Sequence, residues 1–132
     1  MHYKIDTKEK FTVLSLLDVN LSSNLVPELN EMIQKLGSNS PKNLVVNLSA
    51  VQHWDLSIIK LFAQNQEVFY DNNTSFVLCC LSDSLQNALD STDFGEVMNL
   101  TPTESEAWDI VQMEEIEREL LDSDDMEFST QE

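Results

Sequence analysis

The sequence predicts an α/β domain with parallel strand pairings, and three observations carry that expectation. Short apolar runs of strand composition alternate with segments whose apolar residues recur at helical spacing. The most continuous run, Ser75-Phe76-Val77-Leu78-Cys79-Cys80-Leu81, has the composition of a central strand buried on both faces. The length, 132 residues, suits one domain with a sizeable core.

In chain order, Tyr3 to Asp6 is a short first strand and Phe11-Thr12-Val13-Leu14-Ser15-Leu16-Leu17 a second. The polar Thr7-Lys8-Glu9-Lys10 supplies the hairpin turn between them. Ser22, Ser23 and Asn24 offer N-caps for a helix with Pro27 in its first turn, where the missing N–H costs least. Leu25, Leu29, Met32, Ile33 and Leu36 form its apolar stripe, and Gly37 is expected to end it as a left-handed C-terminal residue. Asn43 to Leu48 is a buried strand. Asp55 is expected to cap a helix running to about Tyr70, with Ile58, Leu61, Phe62, Val68 and Phe69 near one side. Asp71 to Thr74 is a turn before the central strand. Ser82-Asp83-Ser84 caps a short helix with Leu85, Ala88 and Leu89, and Val97 to Leu100 is a last strand. Thr103 is the N-cap of the final helix, with Glu104 and Glu106 at its positive end.

That final helix changes character. At about 100° per residue, Ala107, Ile110 and Val111 share one side, while Met113, Ile116 and Leu120 share nearly the opposite one. One straight helix cannot bury both sets in one small domain. Either it kinks near Gln112, or its second half packs on something else, or that half is a solvated extension. The expected organisation is a domain over 1–112, a helical extension over 113–121 and an acidic, disordered tail over 122–132.

The net charge of −17 excludes nucleic acid and anionic membrane as partners, because both would repel the chain. Half of the 24 carboxylates fall in residues 104–132, which hold one base, Arg118. No apolar run reaches the length of a membrane-spanning helix, and the first residues lack the apolar core of a signal peptide. Cys79 and Cys80 are adjacent, so on a strand they point to opposite faces and form no structural disulfide. They read as reduced core residues of a cytoplasmic protein.

Catalytic chemistry finds little support. The only two glycines, Gly37 and Gly95, are too few for a dinucleotide fingerprint and too far apart for a nucleophile elbow or a phosphate-binding P-loop. His2 and His53 are isolated, and no Cys-x-x-Cys or His-x-x-x-His spacing occurs, so neither a metal nor a cofactor is expected. What remains is Val51-Gln52-His53-Trp54-Asp55-Leu56-Ser57-Ile58, between a strand end and a helix start, where open α/β sheets place their sites. Trp54 reads as a loop aromatic half buried over the core; exposed, it would be a binding anchor there. A phosphate on Ser57 would be favoured by the helix dipole and free N–H groups.

Asn47-Leu48-Ser49-Ala50-Val51, three residues, then Asp55-Leu56-Ser57-Ile58 resembles the signature of the STAS family, the sulphate transporter and anti-sigma factor antagonist domains. The family pattern is roughly Asp-Leu-Ser-x-Val-x-x-x-Asp-Ser-Ser-Gly-Leu. Leu21-Ser22 ahead of the first helix is similar to the family's Leu-Asp. Leu100-Thr101-Pro102-Thr103-Glu104-Ser105-Glu106-Ala107 resembles its approach to the last helix, and Met113 to Leu120 resembles the extension of stand-alone members. The order of elements agrees over residues 3–112. The resemblance implies a mixed sheet of four to five strands with about four helices mainly on one side.

It also implies partner switching. An unphosphorylated antagonist binds an anti-sigma factor that is itself a serine kinase, and phosphorylation of the first serine in Asp-Ser-Ser-Gly breaks the complex. A charge of about −2 in an interface adds repulsion and desolvation. Here Asp55 and Ser57 match the pattern, but Leu56 stands where the acceptor serine would be and Ile58 replaces the glycine. Three readings stay open: Ser57 has become the phospho-acceptor, a protein partner is bound constitutively, or the same surface binds something else. Constitutive or otherwise-regulated binding is favoured, because Leu56 and Ile58 make the helix start more apolar. The implied partner surface comprises Ser22, Ser23, Trp54, Asp55, Leu56, Ser57 and Ile58. A homo-oligomer through the last helix is a further expectation.

Overall fold

The structure, a computed structural model, describes the backbone of residues 1–131 and the side-chain surroundings of residues 1–121. Five strands form the main sheet in the order β1 (Tyr3–Thr7), β2 (Phe11–Leu16), β4 (Asn43–Asn47), β6 (Phe76–Cys79), β7 (Asn99–Thr101). Two further strands, β3 (Asn20–Leu21) and β5 (His53–Trp54), pair with each other apart from it. The helices are α1 (Val26–Ser38), α2 (Leu56–Asp71), α3 (Asp83–Asp90) and α4 (Glu104–Gln131). β1 and β2 pair antiparallel through the expected turn, from Tyr3 opposite Leu16 to Thr7 opposite Thr12, and the other main-sheet pairings are parallel.

Alternation along each strand splits the core in two. Leu14, Leu16, Leu44, Val46, Phe76 and Leu78 face α1, α2 and α3 and make the larger half. Phe11, Val13, Val45, Val77 and Cys79 face the other way and are covered by Ala107 and Val111 of α4. The central strands β4 and β6 therefore bury both faces, which is why their sequences lack polar alternation.

Several boundaries differ from expectation for local reasons. The central strand stops at Cys79 because Cys80 turns into the left-handed region at φ 65, where its N–H donates to Thr101 O at 3.1 Å. A 3₁₀ turn over Phe94–Val97 displaces the last strand to Asn99–Thr101. Gly37 does not cap α1 in a left-handed conformation; the helix runs through it to Ser38. What Gly37 provides is space, since a Cβ there would lie 2.8 Å from Phe69 Cζ of α2. Ser82 and Thr103 do cap α3 and α4, accepting from Leu85 N–H at 3.3 Å and Glu106 N–H at 3.1 Å.

The two faces of α4 find different outcomes. Beyond Val111 the inward face turns polar and stays docked over the N-terminal ends of the strands. Ser75 Oγ donates to Glu114 Oε1 at 2.5 Å, Asn99 Nδ2 donates to Glu114 Oε2 at 3.1 Å, and Asn43 Nδ2 donates to Glu115 Oε2 at 2.8 Å. Met113, Ile116 and Leu120 remain exposed on the outer side. The expected disordered tail, 122–132, lies outside the residues whose side chains are described.

Candidate functional site

The segment singled out in the sequence sits at the C-terminal ends of the strands, built from the loop after β2, the loop after β4 and the first turn of α2. The β3–β5 pair, not foreseen from the sequence, locks the two loops together. Asn20 lies opposite His53 and Leu21 opposite Trp54. Val19 O accepts from Gln52 N–H at 2.8 Å and His53 N–H at 3.1 Å, and Leu21 O accepts from Asp55 N–H at 3.0 Å.

Asp55 occupies the N-cap position of α2 but does not cap it with its side chain. Its Oδ2 instead accepts the backbone N–H of Ser23 at 2.8 Å, tying the start of α2 to the turn that leads into α1. Asp55 thus holds two loops in register, and the first turn of α2 is left without a side-chain cap or an acidic residue. That leaves its positive dipole end open beside Leu56. Ser22 is half-buried and its Oγ is bonded to Asn24 Oδ1 in the same turn.

The seven expected partner-facing residues divide. Ser23, Asp55 and Leu56 are exposed, with Leu56 at 49%. Trp54 is 8% exposed and stands with its ring centroid 6.0 Å from that of Phe62, so it is core and not an anchor. Ile58 is fully buried in the same core. Ser57 turns its Oγ inward, where it is buried and has no hydrogen-bond partner, as has the indole N–H of Trp54. The helical spacing explains the division: α2 must aim Ile58, Ile59 and Phe62 at the sheet, which leaves Leu56 outside.

Two apolar side chains at this end escaped the sequence reading. Leu17 and Val19 are about half exposed on the loop between β2 and β3, and Val19 is the residue bonded to Gln52 and His53. Their signal was an alternation with Asp18 and Asn20 that continues past the strand run.

Other chemistry is weakly provided for. Among the described residues, no three His, Cys, Asp or Glu side chains gather in a way that would hold a metal ion, and no helix is long and apolar enough to cross a membrane. Cys79 is buried, and burial first, then the neighbouring Cys80, pushes its thiol far above the ordinary value, which removes it as a nucleophile near neutral pH. Cys80, half-buried at the strand end, packs against the rim of the smaller core half. A concavity of about 650 Å³ between α2 and the 3₁₀ turn is lined by Ala63, Tyr70, Phe94 and Val97 and lies away from residues 51–58.

The model of the STAS domain matches residues 4–107. Three of the solved structures that share the fold illustrate the likeness. An anti-sigma factor antagonist from Mycobacterium paratuberculosis is 22% identical with a TM-score of 0.74, over 84% of this chain and 93% of that one. A variant of RsbS from Moorella thermoacetica is 14% identical with a TM-score of 0.67, over 85% and 96%. The Bacillus cell fate determinant SpoIIAA in its phosphorylated form is 17% identical with a TM-score of 0.61, over 83% and 99%. No curated protein sequence matches the chain.

Proposed function

The chain belongs to the STAS domain family, and from that premise we propose that it is a regulatory protein-binding module of the anti-sigma factor antagonist type, not an enzyme. Its partner on this reading is an anti-sigma factor of the serine-kinase type, in partner-switching control of transcription in the cytoplasm. The likeness in fold to an antagonist and to SpoIIAA supports the kind of role.

Leu56 is the observation that carries the reading. It is half exposed at an uncapped helix start, flanked by the exposed Ser23 and Asp55, with the apolar Leu17 and Val19 at the same end. Without a hydroxyl at position 56, binding is constitutive or regulated elsewhere. The inward, buried Oγ of Ser57 supports this over a switch transferred to Ser57, because a kinase would have to open the helix start to reach it.

The test is capture of a kinase-type anti-sigma factor by the intact chain. Leu56→Asp places a charge in the contact and should abolish capture, while leaving the melting temperature unchanged or slightly higher, since a carboxylate at a helix N-terminus stabilises by about 0.3–1 kcal/mol. Undiminished capture by the variant would sink the proposal. Intact-mass measurement after incubation with the kinase and ATP should show no added phosphate. One phosphate, placed on Ser57 by fragmentation, would replace constitutive binding with a Ser57 switch.

A second reading, a structural protein self-associating through the last helix, draws on the exposed Met113, Ile116 and Leu120. The carboxylates around them count against a second copy as the occupant. A small-ligand role has only the concavity beside Phe94 and Val97 in its favour.

A further inference from the structure

Met113, Ile116 and Leu120 are 59%, 53% and 56% exposed on the outer face of α4. Their spacing of three and four is that of a coiled-coil seam. The opposite face is committed to the domain, through Ala107 and Val111 and then through Glu114 and Glu115. The seam is therefore not a core stripe awaiting burial by a shift of its own helix. It also lies toward the N-terminal ends of the strands, the opposite end of the sheet from Leu56.

Charge selects the occupant. Glu117 and Glu119, both exposed, border the seam on its two sides, in the positions that face a partner helix across a coiled coil. If a second copy docked antiparallel, Glu117 and Glu119 would each meet its own counterpart; if it docked parallel, each would meet the residue five positions away, Gln112 or Asp124. Neither arrangement offers these carboxylates a base. The one base of the helix, Arg118, gives no relief, because it lies on the inward side with Nη1 and Nη2 each 3.5 Å from Ser75 Oγ. Asp109, one heptad before Ile116, lies on the line of the seam itself and ends its apolar stretch with a further carboxylate. An anionic bilayer is repelled for the same reason.

We propose that the outer face of α4 is a docking surface for a basic amphipathic helix of a partner protein. Its apolar residues pack on Met113, Ile116 and Leu120, and its lysines or arginines meet Glu117 and Glu119. Because this surface and Leu56 lie at opposite ends of the sheet, both can be occupied at once, and the inference stands whatever binds at Leu56.

The test titrates the full chain with two labelled peptides, both with a leucine heptad seam, one with lysine and one with glutamate at the flanking positions. The lysine peptide should bind, weaken at least about tenfold with the Ile116→Asp/Leu120→Asp variant, and weaken as salt rises from about 50 to 500 mM. The glutamate peptide should not bind. Glu117→Lys/Glu119→Lys should reverse the preference, and Leu56→Asp should leave lysine-peptide binding unchanged. Failure of the lysine peptide to bind, equal binding of both, or undiminished binding to the Ile116/Leu120 variant overturns the proposal. So does a dimer of the free chain by light scattering that Ile116→Asp converts to monomer, because the occupant is then a second copy.

Discussion

Gly37 has no side chain, and the ring of Phe69 takes the space one would need. Phe69 is 4% exposed and its ring centroid is 5.1 Å from that of Phe76, so it has little room to yield. Gly37→Ala gains helix propensity of about 0.5–1 kcal/mol, but overpacking against a core ring costs about 1–3 kcal/mol. A net loss of about 1 kcal/mol is expected in urea denaturation. Adding Phe69→Leu should make the alanine nearly neutral relative to Phe69→Leu alone; an unchanged penalty would mean that the ring is not the cause. A second residue, Asp18, takes bonds from the His2 backbone N–H at 3.0 Å and with the His2 ring Nδ1 at 2.9 Å. These hold its carboxyl below the ordinary value of 3.8. A carboxylate whose pKa is lowered by folding adds stability that is full above its unfolded pKa and is lost as pH falls through the folded one. Asp18→Asn should therefore cost less than about 1 kcal/mol at neutral pH, the range for surface pairs, and nothing once the pH is well below 3.8. An equal loss at both pH values in urea titrations would exclude this origin.

At the scale of elements, Asn43 shows how α4 is attached. It is 6% exposed at the start of β4 and bonds three neighbours: Lys10 O at 2.9 Å, Glu115 Oε2 at 2.8 Å, and the N–H of Ser75 at 2.8 Å, which it accepts. Asn43→Ala leaves the buried Ser75 N–H without a partner and unties Glu115. The expected loss is about 2–3 kcal/mol in denaturant unfolding. Asn43→Leu, which refills the volume, should recover little of it; full recovery would show that packing, not hydrogen bonding, matters there. The same polar anchoring explains why a helix with two apolar faces need not kink: its inward side trades Ala107 and Val111 for Glu114, Glu115 and Arg118 as it leaves the core.

For the whole molecule, the net charge of −17 on 132 residues is a source of self-repulsion. Only three of the seven bases, Lys4, Lys8 and Lys10, lie in the first ten residues, and Lys10 Nζ reaches Glu115 at 3.7 Å. Screening should then stabilise the fold: the melting temperature is expected to rise by several degrees between about 20 and 300 mM sodium chloride, as the Debye length falls below the spacing of surface charges. A falling melting temperature would mean that local ion pairs outweigh the net repulsion. The topology separates two surfaces across the sheet, with the apolar end at Leu17, Val19 and Leu56 opposite the acidic extension of α4.

The sequence by itself determined the α/β class, the order of the main-sheet strands along the chain, the hairpin and the caps at Ser82 and Thr103, because each is written in local periodicity or in one turn of capping chemistry. It also raised, through the resemblance at Asp55 to Ile58, the expectation that Leu56 stands where the family's acceptor serine would be. Only the tertiary structure decided what faces what. Trp54, Ser57 and Ile58 share one segment with Leu56, yet the sheet beneath α2 draws the first three inward, and no local pattern records that plane. The β3–β5 pair and the Asp55–Ser23 bond join residues more than thirty positions apart, so they exist only once both loops are in place. The role of Gly37 as space for Phe69 is of the same kind: it depends on the approach of two helices, which composition does not encode.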